Sequence, residues 1–122
     1  ILLLLLAGNA QAHEYQYRAL ITKVYDGDTV TATIDAGFNI ELKNEKIRLY
    51  GIDAPEMRGE QRPEGLVSRD WLRSRVLNKK VMLHTVKDKK GKYGRYLAVI
   101  YLNGVNINDE LVTSGMAVYK DY

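Results

Sequence analysis

The succession of turns and β-forming segments in this chain predicts an α+β fold that is mainly β: a five-stranded Greek-key barrel, with one helix between strands three and four and a short helix after strand five. Three observations carry that expectation. Five segments are rich in β-branched and aromatic residues. Asp26-Gly27 joins the first two and Asn103-Gly104 closes the last, and such pairs are the strongest short hairpin signals. Two helical stretches follow the third and fifth segments.

The first strand is expected over residues 15–25 (YQYRALITKVY) and its hairpin partner over residues 29–35 (TVTATID), which alternate apolar and polar side chains. Between them, in VYDGDTV, Asp26-Gly27 reads as the turn and Asp28 as a second acid just past it. Residues 36–39 (AGFN) form another turn, and residues 40–49 a third strand interrupted around Asn44. Asp53-Ala54-Pro55-Glu56 ends this meander, because proline removes a ladder donor. Residues 57–65 (MRGEQRPEG) are polar, with two glycines and a proline, and read as a loop. Residues 66–77 (LVSRDWLRSRVL) read as a helix with Trp71 in the core. Strand four is expected over residues 81–86, an exposed basic loop over residues 87–94 (KDKKGKYG), and strand five over residues 95–102. A short helix over residues 106–113 (NINDELVT) has Asn106 or Asn108 as its cap and stops at Ser114-Gly115. The order matches the barrel of the OB type, whose face carries ligands. A different α+β sheet fits the same order nearly as well.

Composition narrows the class. With 46% hydrophobic residues, 122 residues make one domain with a packed core. Nine tyrosines against one phenylalanine suit a wet, half-exposed sheet or groove. A net charge of +3 and a pI near 9.1 favour a polyanionic partner over an acidic one. There is no cysteine, which excludes disulfides and thiolate zinc sites. Residues 1–7 are apolar and Ala10-Gln11-Ala12 has the small-x-small form of a cleavage site, so residues 1–12 are expected to be the C-terminal part of a signal peptide. Residues 13–122 then form the mature domain, exported to a periplasm or secreted. The apolar run is too short to span a bilayer, which takes about 20 residues.

Asp26, Asp28, Asp53 and Glu56 fall near expected strand ends. Four converging carboxylates need a cation or basic groups to neutralise them. An oxygen-only ligand set points to Ca²⁺ or Mg²⁺. Arg48 and Arg95 add guanidinium groups that can each grip two phosphate oxygens. Metal, two arginines and a spare carboxylate are what phosphodiester hydrolysis requires. Singly, each motif has a structural reading: Asp26-Gly27-Asp28 is a turn, a strand arginine is a surface residue, residues 87–92 are a solvated loop, and His84 is an ordinary strand residue.

Taken together, VYDGDTV, IRLYGIDAPE, KYGRYLAVIYL and NINDELVTSGMA, in that order, closely resemble the staphylococcal nuclease (thermonuclease) family over residues 17–119. The resemblance implies an OB-fold enzyme that cleaves DNA and RNA with Ca²⁺, water attacking phosphorus and the 5′-oxygen leaving to give 3′-phosphate ends. It implies that Asp28 and Asp53 bind Ca²⁺ through side chains and Ala54 through its backbone carbonyl, with Asp26 one layer behind them. It makes Glu56 the general base, and gives Arg48 and Arg95 the scissile phosphate and its transition state. Lys92 and Tyr93 would contact a neighbouring phosphate. A monomer without stable membrane association is expected. Two other readings fit the same motifs: an inactive OB-fold module that binds nucleic acid, and a small exported domain that uses Ca²⁺ only for stability. The presence of all five of Asp28, Asp53, Glu56, Arg48 and Arg95 favours the enzyme. On this reading Arg48→Lys cuts turnover and leaves folding intact.

Overall fold

Five strands close on themselves. The computed structural model describes residues 15–86 and 94–121. The long first strand β1 (Tyr15–Asp26) pairs antiparallel with β2 (Thr29–Asp35), which pairs in turn with β3 (Glu41–Leu49). Two residues of β4 (Ile52–Asp53), a 3₁₀ turn (Gly59–Gln61) and helix α1 (Arg62–Val76) follow. The chain re-enters the sheet as β5 (Lys80–Thr85) on the other side of β1, and then as β6 (Tyr96–Leu102). β6 runs parallel to the end of β3, with Ile47 beside Tyr96 and Leu49 beside Ala98, and this pairing shuts the barrel. The result is the expected five-stranded OB-type barrel with its two helices. The remaining elements are β7 (Val105–Asn106), α2 (Ile107–Thr113) and β8 (Val118–Tyr119).

The alternation that marks the strands in the sequence places their apolar side chains inward. Ile21, Val30, Ala32, Ile47, Leu49, Leu83, Ala98 and Ile100 are fully buried. α1 packs on β1 and buries Leu72 and Val76, while α2 packs on β6 and buries Ile107 and Leu111. Each such side chain contributes about 1.5–3 kcal/mol. Trp71 lies only half-buried at the edge of this core, a place its size and ring N–H favour.

Several local expectations are revised. The interruption expected in β3 is a bulge: Asn44 adopts φ 58°, and the β2–β3 register slips between Ala32 and Ile34. The helix begins at Arg62, inside the stretch read as loop, with Pro63 in its first turn, where the missing N–H costs nothing. Gln61 precedes it without a side-chain cap, so no cap signal marked the start. The first hairpin turns on Gly27-Asp28, with Asp26 paired to Thr29, one residue later than Asp26-Gly27. Gly27 is needed for space: a Cβ there would lie 2.7 Å from Ala54 Cβ and from Ser68 Oγ. Residues 1–12, and most of the basic loop, lie outside the described residues.

Candidate active site

The turn after β1 is where three parts of the chain meet. Because Gly27 has no side chain, the Asp53-Ala54-Pro55 segment and α1 can close onto the β1–β2 turn. Asp28 is only 6% exposed, and its carboxylate accepts from the Ala54 N–H at 2.8 Å and from the Thr29 hydroxyl at 3.1 Å. Its backbone N–H donates to Asp26 Oδ1 at 3.0 Å, and its carbonyl accepts from Leu49 N at 2.8 Å. The second acid of VYDGDTV is therefore a buried tie between the β1–β2 turn, the end of β3 and the Asp53-Ala54 segment.

Arg48 completes the tie. It is 8% exposed, at the end of β3. Nη1 donates to the carbonyls of Leu49 (2.8 Å) and Ile52 (3.0 Å), and Nη2 donates to Asp53 Oδ1 at 3.2 Å with Asp28 Oδ2 3.4 Å away. One guanidinium thus folds the β3–β4 turn around itself and bridges two aspartates. Asp53 keeps 44% of its side chain exposed. Burial, with the Asp28 charge close by, pushes the Asp26 carboxyl up to about 6, and the Arg48 charge offsets only part of this. Three acids around one arginine leave the centre short of positive charge.

The sequence did not reveal two supports of this centre. Asn108 is 2% exposed; it accepts from Ile100 N–H and donates to the carbonyls of Tyr50 and Ala98, pinning the turn that leads to Asp53. Of the two cap candidates in the sequence, Asn106 is the cap, its side chain accepting from Asp109 N, and Asn108 is left for this buried role. β8 pairs with β4, Val118 opposite Asp53, and holds that segment from the other side.

Asp26 and Thr29 open onto a cleft of about 1400 Å³. Glu56 and Arg95 line it too. Glu56 is exposed, but its backbone is fixed: its N–H donates to Gln61 Oε1, and Gly65 of α1 lies so close to its carbonyl that a Cβ there would come within 2.3 Å. Six basic side chains (Lys23, Lys46, Arg58, Arg69, Arg73 and Arg95) line the cleft against the two acids Asp26 and Glu56. Lys92 and Tyr93 lie outside the described residues. His84 does not line this cleft; it stacks on Tyr101, ring centroids 4.1 Å apart, and the two line a separate pocket with Arg18 and Lys80.

Among the described residues no three acidic or histidine side chains cluster as a preformed cage. Asp28 and Asp53 do converge on one nitrogen of Arg48, every donor is oxygen, and Asp53 is open to water. This set fits a hard cation that keeps much of its water.

The class is thereby defined: an OB-type barrel with an aspartate–arginine centre beside a basic cleft. The staphylococcal nuclease homologue family matches residues 46–122, and the chain belongs to that family. It is 32% identical over 119 residues to a thermonuclease of Staphylococcus hyicus, covering 95% of this chain and 66% of that protein. It is 39% identical over 103 residues to an uncharacterized endonuclease of Haemophilus influenzae, covering 84% and 52%. A thermonuclease of Staphylococcus intermedius is 31% identical over 106 residues, covering 84% and 60%. The chain thus spans between half and two thirds of the length of these relatives.

Proposed function

We propose that this protein is a Ca²⁺-dependent endonuclease that hydrolyses phosphodiester bonds of DNA and RNA and leaves 3′-phosphate ends. The observation that carries the reading is Arg48, buried between Asp28 and Asp53, next to a cleft lined by six basic side chains against two acids. Family membership and the nuclease names of relatives support it.

Asp28, Asp53 and the Ala54 carbonyl would hold Ca²⁺, with Asp26 behind them. The bound ion would supply charge neutralisation at the scissile phosphate. Arg48 and Arg95 grip the phosphate oxygens and stabilise the added charge of the pentacoordinate transition state. The Arg48 Nη2 contacts, at 3.2 and 3.4 Å, are long for charge-assisted bonds, which run near 2.7–2.9 Å, so a phosphate oxygen competes well for this nitrogen. Glu56 takes the proton of the attacking water from the cleft side, and the 5′-oxygen leaves. Lys92 and Tyr93 contact the neighbouring phosphate. The protein acts as a monomer, and residues 1–12 direct its export; N-terminal sequencing of protein released from the host, starting at His13, tests the export.

The test is to incubate the purified protein with plasmid, single-stranded DNA and RNA, in Ca²⁺ or in EGTA. Cutting in Ca²⁺ alone is expected. Uncut nucleic acid that stays bound in Ca²⁺ overturns the enzyme in favour of an inactive binding module.

A further inference from the structure

The cleft carries more positive charge than one scissile phosphate uses, and α1 supplies part of the surplus. Arg69 and Arg73 are four residues apart on one face of the helix, and both line the cleft. Arg73 Nη2 reaches the Val24 carbonyl at 3.4 Å, which holds its guanidinium against the strand that carries Tyr25. Tyr25 lines the same cleft and is 63% exposed. Asp70 gathers the two arginines: its Oδ1 lies 2.9 Å from Arg69 Nη2 and 3.7 Å from Arg73 Nη1. Two guanidinium groups around one carboxylate leave a net positive charge. The cleft volume of about 1400 Å³ exceeds the 300–1,000 Å³ typical of small-ligand sites, so more than one nucleotide fits.

We infer that Arg69 and Arg73, with Tyr25, form a subsite for the nucleic-acid strand beyond the scissile phosphate. The arginines bind its phosphates and Tyr25 stacks on an unpaired base, so the subsite selects single-stranded substrates several nucleotides long. This rests on the nuclease reading. Arg48 and Arg95 handle the bond that breaks; the α1 arginines are positioning residues for the strand that carries it.

The test measures fluorescence anisotropy of a labelled thymidine octanucleotide with metal-free protein in EDTA, across a salt series. The Arg69→Gln/Arg73→Gln pair is expected to weaken octamer binding at least about tenfold. It should lower the log–log salt slope by about 1.4, since each lost phosphate contact on a single strand removes about 0.7. A Lys pair at the same positions should restore the slope, which a purely structural role would not do. Asp70→Asn should tighten binding, because it removes the carboxylate that competes with phosphate. With Ca²⁺, the Gln pair should lower kcat/KM for the octamer more than for a dinucleotide, because the arginines bind the strand beyond the reacting bond. An unchanged octamer affinity and salt slope in the Gln pair overturns the subsite, and wild-type protein that still cuts in that case leaves the nuclease reading standing. Octamer binding with the expected slopes by a protein that never cuts supports the subsite and overturns the nuclease reading instead.

Discussion

Arg48→Lys should unfold the protein more easily as well as slow it. The sequence suggests a substitution that keeps the charge and loses only a two-pronged grip on phosphate. The structure adds a structural duty: Nη1 holds the Leu49 and Ile52 carbonyls, and Nη2 holds Asp53 beside Asp28. An ammonium is a single point and cannot span both nitrogens' partners. It keeps one or two of these bonds and leaves a buried carbonyl and a carboxylate short of a donor. Hydrogen bonds to a charged group contribute about 1.5–3 kcal/mol each. Two lost bonds, partly replaced by water, give a destabilisation of about 3 kcal/mol, a large share of a typical 5–15 kcal/mol. With a slope near 2 kcal/mol per molar urea, the unfolding midpoint should fall by about 1.5 M. Turnover of the folded variant should fall by about 10²–10³-fold. Urea melts followed by circular dichroism, and turnover measured well below the new midpoint, separate the two effects. A midpoint within about 0.3 M of wild type would refute the clamp, given that same slope. Near-normal turnover would remove Arg48 from the chemistry.

Three further outcomes follow from the same geometry. Asp28→Asn should fold, because the amide oxygen can still accept from the Ala54 N–H while Thr29 turns its hydroxyl to accept; isothermal calorimetry should nevertheless show Ca²⁺ affinity at least about tenfold lower, and unchanged affinity would exclude Asp28 as a ligand. Asp26, its carboxyl raised from 3.8 to about 6, stays protonated in the folded protein at pH values where the unfolded chain has already ionised. The metal-free wild type should therefore lose stability as pH rises from about 4 to 6, whereas Asp26→Asn should not; melts in EDTA showing equal stability above pH 6 would contradict the burial argument. Gly65→Ala places a methyl 2.3 Å from the Glu56 carbonyl, so despite alanine's better helix propensity it should cost about 1–3 kcal/mol and lower turnover by displacing Glu56; a more stable variant with full turnover would show that the contact relaxes freely.

Alternating strands are easy to read because one buried face forces a period of two. Residues 29–35 show this: the strand was located to the residue. The start of α1 was hidden because Gln61 uses its side chain on the Glu56 N–H instead of capping the helix, and Pro63 and Gly65 look like loop residues out of context. The candidate site was legible as a set of residue types, since acids and arginines recur at motif positions. Their work inside the fold was not. Nothing local to IRLYG says that Arg48 will bind the Ile52 carbonyl, or that Asn108 will hold Tyr50 from 58 positions away. Such contacts depend on β6 closing against β3, a pairing between segments far apart in the chain. The place of Arg69 and Arg73 is equally non-local: only the packing of α1 on β1 turns the helix face that carries them into a cleft wall.

The measurement that tests the central claim most directly is the chemistry of the cut ends. Single-stranded DNA digested in Ca²⁺ should carry 3′-phosphates and 5′-hydroxyls, so that polynucleotide kinase labels the new 5′ ends without prior phosphatase treatment, and EGTA should abolish the products. Ends with 5′-phosphates, or cutting that persists in EGTA, would contradict a mechanism in which the Asp28–Arg48–Asp53 centre holds the metal and the phosphate while the 5′-oxygen leaves.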